Sequence, residues 1–225
     1  MRSDKQPIVF CDFDGTITDN DNIVAIMKHF KPEGVDDIIQ DTLDRNISIR
    51  EGVGAMFALF PSSQQEEITS FVINQAVIRA GFGEYLDYLK SQGIPFYVTS
   101  GGIDFFVKPL LEPFGIPEDH IFCNGADFSG DTIEITWPHP CGEGCSNECG
   151  MCKVTVMKDF SPDDYFRILI GDSITDFEGA KKADLVYSRA ALTEQCEKLG
   201  VNHVPFHNFH DIIQDMNLKS SQGVL

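Results

Sequence analysis

Positive charge is what this chain has least of: 17 lysines and arginines stand against 35 aspartates and glutamates in 225 residues, a formal net charge of −18. Such a surface repels phosphate backbones and anionic lipid, so no general affinity for nucleic acid or membrane is expected. Any attraction for an anionic substrate must come from the site itself. No apolar run reaches bilayer-spanning length, and Met1-Arg2-Ser3-Asp4-Lys5-Gln6 lacks the long apolar region of a secretory leader behind its charges. The expectation is a cytoplasmic chain. Tryptophan occurs once, at Trp137, read as a packing residue. What is present suffices for a core: 42% hydrophobic residues suit one α/β domain with a modest insertion.

Pro7-Ile8-Val9-Phe10-Cys11 is continuously apolar and reads as a parallel-sheet strand buried on both faces. Asp12-Phe13-Asp14-Gly15-Thr16 follows it directly, where side chains of the turn project into the crevice that binds ligands in open α/β sheets. Two crowded carboxylates repel, so the turn calls for a cation. From about residue 19 to 80 the pattern is helical, with Ile23, Ile26, Met27 and Phe30 on one face and Val53, Met56, Phe57 and Phe60 on another. Ser63 with Glu66 suggests a capping box. So long an insertion is a cap and not a crossover. The organisation expected is therefore a Rossmann-like parallel sheet from residues 1–18 and 81–225, with a helical cap at 19–80.

The α/β rhythm then resumes: helix to Gln92, strand Pro95 to Thr99, helix Asp104 to Leu111, strand Ile121 to Cys123 and a small hairpin over 127–137. Strand Arg167 to Ile170 runs into Gly171-Asp172, followed by a helix from Thr175 to Ala183, a strand at Leu185 to Tyr187, helices at Leu192 to Leu199 and Asp211 to Met216, and a frayed tail from Asn217. Parallel strand ends share one sheet edge, which lets Asp12, Ser100, Asp172 and Asp176 converge with a lysine. Hard carboxylate oxygens suit Mg²⁺, and Ser100-Gly101-Gly102 can offer backbone amides to phosphate. The chemistry is phosphoryl transfer on a small phosphate ester.

In their order and strand context, Asp12 to Thr16, Ser100, a lysine, and Gly171-Asp172-Ser173-Ile174-Thr175-Asp176 resemble the four motifs of the haloacid dehalogenase superfamily. Helices inserted straight after the first motif resemble its phosphoserine-phosphatase-like branch. The resemblance implies Asp12 as nucleophile forming an aspartyl phosphate, and Asp14 as general acid and base. It implies Ser100, the Gly101 amide and Lys153 as phosphoryl ligands, with Lys158 the competing lysine. Mg²⁺ would sit on Asp12, the Asp14 backbone carbonyl and Asp172, with Asp176 orienting a metal water or the lysine. In phosphoserine phosphatases an acidic residue nine after the nucleophile grips the amino group, a place held here by Asp21. The cap arginine that grips the carboxylate is replaced by Gly52, with Arg50 two residues away able to shift into the role. Phosphoserine is disfavoured, since a buried carboxylate would go unpaired.

Cys141, Cys145, Cys149 and Cys152 are separated by three, three and two residues, a set open to structural Zn²⁺, to disulfides or to plain thiols. His203, His207 and His210 have helical metal spacing, but Pro205 interrupts them. Two rival functions share much of this chemistry. A receiver-type phosphoacceptor switch also uses acidic residues and Mg²⁺, but lacks the cap and the second aspartate two residues on. A phosphocholine or phosphoethanolamine phosphatase has a similar cysteine-plus-lysine segment.

Overall fold

The computed structural model describes residues 5–142 and 148–222. Within them the strands form one sheet in the order β4-β3-β2-β1-β5-β6-β7. β1 (Gln6–Cys11) lies at its centre, parallel to β2 (Phe96–Ile103) on one side and β5 (Tyr165–Gly171) on the other. β3 (Ile121–Asp127), β6 (Leu185–Ser188) and β7 (His203–Pro205) continue in parallel, and β4 (Glu134–Thr136) closes one edge antiparallel to β3. The apolar run in β1 divides by strand alternation: Val9 and Cys11 enter the larger hydrophobic cluster, Ile8 and Phe10 the smaller one on the opposite face.

Between β1 and α5 (Phe82–Gln92) come α1 (Asn22–Phe30), α2 (Val35–Leu43), α3 (Ile49–Ala58) and α4 (Gln65–Gln75). Their apolar faces, including Met27, Met56, Phe57 and Val72, belong to the same cluster as Val98, Phe106 and Val107 of the sheet side. The chain leaves and returns through adjacent linkers. Thr18 and Ile78 form an antiparallel bridge, Asp19 N donates to Val77 O, and Arg79 N donates to Ile17 O.

Some local expectations are corrected. The capping box lies at Ser48 and Glu51 ahead of α3, not at Ser63 and Glu66. Ser63 is inside a 3₁₀ turn, Ser62–Gln64, and so lacks the extended backbone that an N-cap residue needs. The helix expected at 175–183 is a 3₁₀ turn, Ile174–Asp176, followed by the short α8 (Phe177–Ala180). After α9 (Ala190–Leu199), α10 (Phe209–Ser221) runs past Asn217, aided by a Lys219–Asp215 ion pair and buried Met216. β7 was not anticipated; Pro205, which cannot donate to a ladder, sits at the end of this edge strand. His203 therefore lies in β7 and His210 in α10, so the three histidines share no helix. Among the described residues no helix is long and apolar enough to cross a membrane.

Candidate active site

Asp12 follows β1, Asp172 and Asp176 follow β5, and Lys153 opens the short helix α7 (Lys153–Met157), which packs close to α8 at Gly179. The three carboxylates each offer an oxygen within 4.8 Å of the others. Lys153 is 4% exposed; its Nζ donates to Asp12 Oδ1 at 2.8 Å and to Asp176 Oδ1. Lys158, the competing lysine, is exposed just beyond the end of α7. Asp176 Oδ2 accepts from the amides of Asp172 and Ser173 at 3.0 and 2.9 Å. With both oxygens engaged, Asp176 orients the lysine and the Asp172 turn.

The turn that follows Asp12 is pinned from several directions. Gly15 has φ +76°, and a Cβ there would fall 2.4 Å from Asp172 Oδ2, so only glycine lets the two turns meet. Thr16 Oγ1 donates to Asp172 Oδ1 at 3.1 Å. Arg79, 6% exposed on the return linker, donates to the carbonyls of Gly15, Thr16 and Thr18 at 2.9, 2.7 and 3.1 Å, and pairs with Asp19 at 2.7 Å. Arg189 adds a second guanidinium bond to Gly15 O at 2.9 Å. These cations hold the backbone and leave the reactive carboxylates to Lys153.

Asp14 Oδ1 accepts two bonds from Asn22, from its backbone N at 3.0 Å and its Nδ2 at 2.7 Å. Asp14 Oδ2 lies over Gly102, where a Cβ would be 2.6 Å from it and 2.9 Å from Ser100 Oγ. Ser100 is fully buried, and its Oγ accepts from Gly102 N at 2.9 Å. That bond leaves the hydroxyl proton unused.

Electrostatics agree with a site built for a cation. Burial, then Asp176 and other neighbours, push Asp12 up from the ordinary carboxylate range while Lys153 pulls it down. Burial and Asp176 push Asp172 up to about 6. Asp14 rises to about 7, through burial and then the charge of Asp21, against the Asn22 hydrogen bonds. Burial works against the Lys153 ammonium, but Asp12 and Asp176 outweigh it and hold it charged. One lysine facing several carboxylates leaves net negative charge where a phosphate must arrive. Oxygen-only donors of this kind fit Mg²⁺.

The two expected specificity residues stand apart from this cluster. Asp21 is the exposed N-cap of α1, accepting from Val24 N at 2.9 Å, and reaches the site through its charge. Arg50 is exposed on α3 with its guanidinium 5.5 Å from the Trp137 ring centroid, and its backbone N donates to Glu148 O. Of the four cysteines, Cys145 lies outside the described residues. Cys141 Sγ and Cys149 Sγ are 3.7 Å apart, and Cys152 is buried next to Lys153. Among the described residues, the only group of at least three potential metal ligands is Asp12, Asp172 and Asp176. Sequence reasoning missed Asn22, Arg79 and Arg189. For Arg79 a signal existed: a lone cation between Val77-Ile78 and Ala80 at the return from the helices.

Comparison with known proteins bears on the same residues. The model of the haloacid dehalogenase-like hydrolase family matches residues 9–181. The chain is 49% identical over 210 residues to the 2-hydroxy-3-keto-5-methylthiopentenyl-1-phosphate phosphatase of Brevibacillus brevis, covering 93% of this chain and 95% of that one. It is 52% identical over 209 residues to the Geobacillus kaustophilus protein of the same name, covering 93% and 94%. A substrate-bound phosphoserine phosphatase superposes with a TM-score of 0.67 at 18% identity, covering 93% of this chain and 98% of that one, a likeness of fold.

Proposed function

The chain belongs to the haloacid dehalogenase-like hydrolases, and from that premise we propose that it is a Mg²⁺-dependent phosphomonoesterase acting on 2-hydroxy-3-keto-5-methylthiopentenyl-1-phosphate in methionine salvage. The observation that carries the chemistry is Lys153, buried between Asp12 and Asp176 with Asp172 in reach. In this reading Asp12 attacks phosphorus and the ester oxygen departs with the proton of Asp14 Oδ2. Water then attacks the aspartyl phosphate, giving its proton to the same oxygen. Ser100 Oγ, the Gly101 amide and Lys153 hold the phosphoryl oxygens as charge redistributes. Asp12, Asp172 and the Asp14 carbonyl would hold Mg²⁺, which would supply the positive charge that one lysine cannot. Asp176 serves by fixing Lys153.

The helices of 19–80 act as the cap, hinged at the paired linkers that Arg79 ties to the nucleophile turn. Substrate choice follows from what the cap lacks. Gly52 packs so closely on α2 that a Cβ would meet Thr42 Oγ1 at 2.1 Å, leaving no room there for an arginine to bind a substrate carboxylate. Phosphoserine is disfavoured on that ground, whereas a phosphate ester with an apolar thioether tail needs no such cation. The segments Trp137 to Cys141 and Cys149 to Lys153 also resemble the methionine-salvage phosphatase. Zn²⁺ on the four cysteines would further order the loop that leads into Lys153, which metal analysis of protein purified without chelator reads. A cytoplasmic address fits both readings. The deciding experiment compares turnover of the methylthio enol phosphate, phosphoserine and phosphocholine with Mg²⁺ and with EDTA. Preference for the first, abolished by chelation, is expected; preference for phosphoserine overturns the substrate.

A further inference from the structure

β2 and β3 run in register up to Thr99↔Phe122 and resume at Ile103↔Asn124, so Ser100, Gly101 and Gly102 bulge out opposite the single residue Cys123. A bulge frees the phosphate turn to face the crevice but deprives it of its ladder partners. One side chain replaces them. Asn124, 2% exposed, donates from Nδ2 to Gly101 O at 2.7 Å. The other end of the same peptide, Gly102 N, donates to Ser100 Oγ at 2.9 Å. The Gly101–Gly102 peptide is thus held at both ends.

We propose that Asn124 is a positioning residue for phosphate: by anchoring Gly101 O it sets the Gly101 amide and the Ser100 hydroxyl at the angle that meets a phosphoryl group. Stability alone does not account for the asparagine. Gly101 is exposed, so water could satisfy its carbonyl, whereas Asn124 Oδ1 is buried and has no hydrogen-bond partner among the described residues. That oxygen faces Gly150, where a Cβ would come within 3.4 Å of it. The side chain therefore stands between the phosphate turn and the segment leading to Lys153. A neutral amide suits the place, because it fixes donors without bringing charge of either sign to the anion.

The inference rests on the phosphatase reading but not on the thioether substrate, so its test uses p-nitrophenyl phosphate with Mg²⁺ and inorganic phosphate as competitive inhibitor. Asn124→Leu removes the donor at similar size, and Asn124→Ser keeps a hydroxyl but shortens the side chain so that it no longer reaches Gly101 O. Both are expected to lower kcat by about 10- to 100-fold and to weaken phosphate inhibition by a similar factor, as misplacement of a catalytic donor does. Melting is recorded alongside. Folded variants with wild-type kcat and wild-type phosphate inhibition, changed only in Tm, overturn the proposal; if the leucine variant does not fold, the serine variant decides on the same two quantities. A wild-type chain that neither hydrolyses the ester nor binds phosphate defeats the phosphatase reading first, and the role of Asn124 with it.

Discussion

Two turns meet at the carboxyl edge of the sheet, and they are held in opposite ways. The turn that carries the proposed nucleophile, from Asp12 to Asn22, is clamped by cations: Arg79 and Arg189 on its carbonyls, and Lys153 on Asp12. The turn proposed to bind phosphate, Ser100 to Gly102, is held by neutral groups, Asn124 and the Ser100 hydroxyl. The difference follows charge. Carboxylates crowded on one side need positive groups to stay ionised together, and those groups can stand behind the backbone. A turn that receives a phosphate needs donors whose strength is saved for the ligand. The contrast predicts that substitutions on the charged side act through chemistry and stability, and those on the neutral side through alignment.

The largest effect tests the charged side at its reactive centre. Asp12→Asn keeps shape but removes the proposed nucleophile, and steady-state turnover is expected to fall by at least about 10⁴-fold with a cooperative melt retained. Residual turnover near wild type would mean that another group attacks phosphorus. Next, Lys153→Met removes the one ammonium between Asp12 and Asp176, with an expected loss of about 10³-fold in kcat, while Lys158→Met leaves kcat within about twofold. Equal losses for the two lysines would dissolve the assignment.

What could be seen beforehand separates along the same line. The convergence of the site's polar groups was legible because their placement follows chain-local rules: an apolar run predicts a central strand, and a strand end predicts a turn at the sheet edge, so Asp12, Ser100 and Asp172 could be placed at one edge. Lys153 was legible only through family spacing, since its helix is five residues long. The groups that support them were not legible. Arg79 acts on carbonyls at residues 15, 16 and 18, and Asn124 on the carbonyl of Gly101. Backbone carbonyls are the same at every residue, so no side-chain pattern marks them as partners. Asp21 shows the same limit from the other side, since an N-cap and a ligand-binding carboxylate look identical in sequence.

Arg79 gives the third test, read in stability. Arg79→Met strands the buried carbonyls of Thr16 and Thr18, and denaturant unfolding is expected to show a loss of about 3 kcal/mol. Arg189→Met removes one bond from a half-buried side chain and should cost about 1.5 kcal/mol. Equal losses would show that Arg79 is no more than one hydrogen bond among many.

The smallest effect is a displacement on the pH axis, and it probes how the charged side reaches the proton carrier. Asp14 is raised to about 7 by burial first and by the charge of Asp21 second. In the proposed mechanism the proton given to the leaving oxygen comes from Asp14, so kcat/KM should fall as pH rises through that value. Asp21→Asn removes the charge but keeps a residue that caps α1 equally well. Without the neighbouring charge the neutral form of Asp14 is favoured less, its pKa drops, and the alkaline limb of kcat/KM moves to lower pH. If Asp21 instead bound substrate directly, KM would rise at every pH and the limb would stay in place. An unmoved limb with an unchanged KM would leave burial as the sole cause of the raised carboxyl, and the electrostatic link between α1 and the nucleophile turn would be broken.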